Sequence, residues 1–116
     1  MSRIHIRFIK EIESDCCATY RVESSDFNDS HINEPIARII IYRDSKNYDF
    51  EPLGKLSLVR VIPPFVFDLP DSKCEKILRE QYADGYYYGG WTARMANVVH
   101  RILEFGVFPE EAYGIT

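Results

Sequence analysis

The sequence predicts an α+β domain: a four-stranded antiparallel meander with two C-terminal helices packed on one of its faces. Two observations lead there. Apolar residues alternate with a period of two, between short turn-forming segments, over residues 3–62, and after Pro70 the period lengthens to that of a helix. The 116 residues are 46% hydrophobic and 28% charged, a composition that suits one core, so residues 1–116 are read as a single domain.

Ile4, Ile6 and Phe8 alternate with His5 and Arg7, which makes a first strand with one apolar face. Beyond the polar Glu13-Ser14-Asp15 turn, Cys16, Ala18, Tyr20 and Val22 alternate with Cys17, Thr19, Arg21 and Glu23, and the two strands form a hairpin. Residues 24–35 collect turn formers and carry Asp26, Asp29 and Glu34 without Lys or Arg, an exposed acidic loop. Residues 36–42 are nearly all apolar and β-branched, as in a central strand buried on most of both faces. A turn at 45–49 and the Pro52/Gly54 punctuation lead to a fourth strand over 55–62, closed by Pro63-Pro64. Short turns favour antiparallel neighbours, hence the meander.

Ser72-Lys73-Cys74-Glu75 matches a capping box, with Cys74, Ile77, Leu78 and Tyr82 following at helical spacing up to Gly85. A second helix starts at Thr92, where Met95, Ala96, Val98, Val99, Ile102 and Leu103 form a wide apolar stripe, and it stops at Gly106. Residues 109–113 read as one short turn.

The formal charge of −4 disfavours duplex nucleic acid as a partner, which calls for a basic surface. No apolar run approaches the roughly 20 residues of a membrane span, and the N-terminus lacks the unbroken apolar stretch of a signal peptide, so a cytoplasmic location is expected. Cys16, Cys17 and Cys74 are odd in number and include a vicinal pair, which fits reduced thiols. No Cys-x-x-Cys occurs and the three histidines are scattered, so neither a metal nor a cofactor is expected.

The densest unusual feature is the aromatic connection Gly85-Tyr86-Tyr87-Tyr88-Gly89-Gly90-Trp91. Tyrosine and tryptophan combine contact area with a polar tip, and three adjacent tyrosines in an extended segment cannot all point inward. On the second helix Arg94, Asn97, Arg101 and Glu104 share one polar stripe with His100 near its edge, and no acid occurs between Trp91 and Ile102. Tyr86, Tyr87, Tyr88, Trp91, Arg94 and Arg101 are therefore the candidate partner-binding residues.

Catalytic arrangements are weaker. Cys74 near a helix start with His100 as base would make a nucleophile, but Cys74 also opens the apolar stripe and reads better as an inert thiol. The pairs Glu11/Glu13 and Glu110/Glu111 do not separate an acid from a base by environment, so no catalytic residue is assigned. The resulting expectation is a binding protein rather than an enzyme: a small acidic chain that recognises a protein partner, in the manner of inhibitor or immunity-type proteins that mask a basic surface. The alternative is a small enzyme or ligand-binding domain whose aromatic and arginine-lined pocket takes an anionic small molecule. An obligate homodimer joined through an exposed sheet face or edge is a third reading.

Overall fold

The computed structural model describes residues 5–24, 34–85 and 91–115. It is an α+β fold with an antiparallel sheet and two helices, and the sheet has five strands rather than four. These are β1 (His5–Glu13), β2 (Cys17–Ser24), β3 (Glu34–Tyr42), β4 (Tyr48–Pro52) and β5 (Glu111–Ile115), in the order β4-β3-β2-β1-β5. The first four form the expected meander, and β5 returns to pair with β1.

On β1 and β2 the predicted alternation holds: Ile6, Phe8, Ala18, Tyr20 and Val22 are buried on one face. β3 is an inner strand, but only one of its faces is fully closed. Ile36, Ala37, Ile39 and Ile41 lie in the core, whereas Arg38, Ile40 and Tyr42 are half-buried. Glu11 follows Arg7 and Ile9 on the open face beside Arg21 and Arg38, and a register shift between Lys10 and Ile12 marks a bulge that moves Glu13 off that face. Glu13 instead meets Lys10 and Arg43, so the pair Glu11/Glu13 does not share a face.

The expected strand over 55–62 does not form. The fourth strand is Tyr48–Pro52, and Gly54–Leu58 is a 3-10 helix. Gly54 at φ +56 breaks the extended chain, and the Ser57 hydroxyl donates to the Gly54 carbonyl at 2.6 Å, closing the turn locally. A second 3-10 helix spans Pro64–Asp68.

The helices are α1 (Asp71–Gln81) and α2 (Trp91–Phe105). α2 buries Met95, Ala96, Val98, Val99 and Ile102 against the sheet and ends before Gly106 at φ +78. The pairing of both helices with the sheet is corrected: α1 has no buried residue and packs chiefly on the 3-10 helix Pro64–Asp68. Its stripe of Cys74, Ile77, Leu78 and Tyr82 is only half-buried, and Tyr82 lies under the Arg60 guanidinium, 4.9 Å from ring centre. Nor is the capping box used, because the cap is Pro70, whose carbonyl accepts from the Cys74 amide at 2.9 Å. Asp71 then meets the positive helix end ahead of Ser72.

The turn expected at 109–113 is the start of β5. Its inward side chains are Ala112 and Gly114, too small to write an alternating apolar pattern. Their size is what α2 requires: a Cβ on Gly114 would stand 2.9 Å from Val98 Cγ2. Lys10 fastens the lead-in to β5, its ammonium donating to the Phe108 carbonyl and pairing with Glu110. No described helix is long and apolar enough to cross a membrane.

Candidate functional site

Three arrangements of polar groups stand out, and one gathers several of the residues singled out by the sequence. α2 lies along β5, and Arg94, Asn97 and Arg101 line a recess of about 310 Å³ with Gly114 as its floor. Arg101 is exposed and its Nη2 donates to the Tyr113 carbonyl at 2.8 Å. Helical spacing puts the three side chains on one flank, and the tight seam at Gly114 brings that flank against the sheet.

Tyr86, Tyr87 and Tyr88 lie outside the described residues, as does the acidic segment 25–33. Their attachment points are described. Ile6 pairs with both Ser24 and Gly114, and Ser24 pairs with Glu34, so the two ends of segment 25–33 and the end of β5 share one row of the sheet. The first turns of α2, which begins at Trp91, reach the same row, with the Arg94 carbonyl 3.9 Å from a Cβ built on Gly114. Arg94 and Arg101 thus stand at the end of the sheet from which both unusual segments depart.

The second arrangement was not found by sequence reasoning. Tyr48 of β4 donates its hydroxyl to Asp68 Oδ2, and His100 Nε2 of α2 lies 2.8 Å from Asp68 Oδ1. The carboxylate ties together β4, the 3-10 helix Pro64–Asp68 and α2. Burial and the adjoining Asp68 carboxylate push the Tyr48 phenol far above its usual range. Lys46, Asn47, Asp49, Phe65 and Leu69 complete a recess of about 450 Å³, with Lys46 held at φ 57. His100 therefore works with Asp68, where the sequence offered Cys74 as its partner. The only early signal was His100 at the edge of a polar stripe, since Asp68 is 32 residues away.

The third arrangement is the open face of the sheet. Arg7, Glu23, Arg21, Glu11, Arg38 and Glu51 form a chain of ion pairs with N–O separations of 2.9–3.4 Å. The signs alternate along this chain of six, and Asp49 and Glu111 lie on the same face beside tyrosine hydroxyls.

All three cysteines are free, Cys16 exposed and Cys17 and Cys74 half-buried. Hydrogen bonds with Ser14 and then Cys17 hold the Cys16 thiol below its ordinary range. Among the described residues no cluster of three His, Cys, Asp or Glu side chains is arranged to hold a metal ion. No family model, curated protein or solved structure matches the chain.

Proposed function

We propose that the chain is a small binding protein that recognises a protein partner through the end of the sheet, an inhibitor or immunity-type protein that shields a basic surface of its target. The observation that carries this reading is the shared end row. The acidic segment 25–33 is attached to β2 and β3, while Arg94, Asn97 and Arg101 flank β5 at the same end. Two strand spacings separate β5 from β2 and three separate it from β3, about 10–14 Å. An acidic zone and a basic zone at that separation give a partner one electrostatically preferred orientation. The acidic zone attracts the basic surface, and the arginines accept an acidic group beside it. In sequence the three tyrosines precede Trp91, the first residue of α2, and their aromatic contact area would supply the affinity.

A second reading, a small enzyme or ligand-binding domain, draws on the Tyr48–Asp68–His100 recess. There Asp68 would orient the His100 ring for proton transfer. Its lining includes Lys46 and Asp49 but no Ser, Thr or Cys, and binding is the preferred reading.

Affinity capture with the intact chain tests the proposal. A partner held by the wild type should be lost with Asp26→Lys/Asp29→Lys and with Arg94→Glu, and retained with His100→Gln. Retention by the first two and loss by the third would transfer the function to the recess.

A further inference from the structure

β5 is an edge strand, and its register with β1 fixes which of its backbone groups are unused by the sheet. The Lys10 amide donates to the Glu110 carbonyl at 2.9 Å, so at this pair the backbone groups of the two stretches face each other. Counting by twos along the antiparallel ladder, Ala112 and Gly114 also face β1, while the N–H and C=O groups of Glu111 and Tyr113 point away from the sheet. One of these outward groups is covered, because the Tyr113 carbonyl accepts from Arg101. Arginine here does what edge-blocking residues do, occupying an acceptor that would otherwise template another strand.

The groove beside this edge has two chemically different ends. α2 runs antiparallel to β5, with Arg94 near Gly114 and Arg101 at Tyr113. Arg94, Asn97 and Arg101 thus make the end beside the last residues of β5 basic. One helical turn beyond Arg101 on the same flank stands Phe105, 74% exposed, followed by Val107 at 65%, so the flank turns apolar past Arg101. Four helical residues advance about 6 Å, from Arg101 to Phe105, and two strand residues advance about 6.7 Å.

We infer that this groove receives an extended segment of the protein partner as a sixth strand on β5, with an acidic residue against Arg101 and an apolar residue two positions away against Phe105. The inference rests on the partner-binding reading above and names the chemistry of the partner's contact. A carboxylate offers Arg101 an opposite charge and two acceptor oxygens in a bidentate geometry, where the Tyr113 carbonyl offers one neutral oxygen. The incoming acid draws the guanidinium away, and the freed carbonyl accepts an N–H of the new strand. Backbone pairing supplies affinity, and the acid-x-apolar spacing supplies selection. Without the acid the edge stays capped, so neutral or basic strands are refused.

The test uses the full chain, 15N-labelled, and blocked five-residue peptides as probes. The first is acetyl-Thr-Glu-Thr-Val-Thr-amide, the second has Lys in place of Glu, and the third is the first with alternate backbone amides N-methylated in either register. The acidic peptide is expected to shift the amides of Glu111 and Tyr113, slow exchange of the Tyr113 N–H, and bind at least about tenfold more tightly than the Lys peptide. N-methylation in one register should abolish binding. Arg101→Gln should bring the Glu and Lys peptides to within about twofold of each other, while Glu104→Gln, on the same helix, keeps the full preference. Equal binding of the Glu and Lys peptides, indifference to N-methylation in both registers, or shifts confined to other strands would overturn strand addition. If no peptide binds but partner capture still depends on Asp26, Asp29 and Arg94, strand addition falls and the partner-binding reading stands. If capture also fails to depend on them, both fall.

Discussion

Gly114 sets how closely α2 approaches the sheet. An added methyl would meet Val98 Cγ2 at 2.9 Å, and Val98 is buried and stiff about χ1, so it has little room to yield. Gly114→Ala should cost about 1–3 kcal/mol, seen as a lower urea midpoint at unchanged slope. Tyr20 is a second residue with a measurable signature. It is fully buried on β2, its ring 5.8 Å from that of Phe8, and its hydroxyl donates to the Pro109 carbonyl at 2.6 Å. Burial pushes its phenol up to about 12. The ordinary value is near 10, so between about pH 10 and 12 the unfolded chain gives up this proton while the folded one keeps it. The group's stabilising contribution is complete below pH 10 and is lost as pH rises toward 12. Chemical denaturation across that range should show stability falling with pH, and a shallower slope in Tyr20→Phe whatever its level at neutral pH.

At the scale of elements, the two helices play unequal parts. Ile102 of α2 is 2% exposed, whereas nothing on α1 is buried. Ile102→Ala should destabilise by about 2–5 kcal/mol and Leu78→Ala by less than about 1.5, a difference that urea unfolding of the two variants resolves. Both helices were legible in the sequence, since each stripe repeats over several turns, but spacing could not say how deep a stripe would be buried. The hairpin of β1 and β2 was legible for the same reason. β4 and β5 were not. Tyr48–Pro52 is a short edge strand with acids on its outer positions, and β5 buries Ala112 and a glycine, so neither writes an apolar alternation. The arginine flank was visible as a polar stripe from spacing alone. Its meeting with β5 was hidden, because that contact depends on a strand the sequence did not announce. The recess around Asp68 was hidden for a related reason: its three polar side chains come from three separate elements.

At the scale of the whole molecule, charge is distributed unevenly. Asp26, Asp29 and Glu34 supply −3 of the formal −4, leaving the remainder of the chain at −1. On the open sheet face the three arginines are matched by Glu11, Glu23 and Glu51, while Asp49 and Glu111 accept from tyrosine hydroxyls instead. Apart from the buried Glu23, the paired groups are open to solvent and screened by salt, so they set the register of side chains more than they hold the sheet together.

The position of β5 also orders events in time. β1 through β4 lie within residues 5–52, and their pairings join neighbouring stretches of chain. β1, by contrast, receives its second neighbour from residues 111–115, so the longest loop in the sheet closes last. During synthesis β1 is a bare margin, with its outward amides and carbonyls without β5 until residues 111–115 have been made. The same late segment brings Gly114 under α2 and the Tyr113 carbonyl to Arg101, so the helix seat, the covered margin and the groove all come into being in a single closing step.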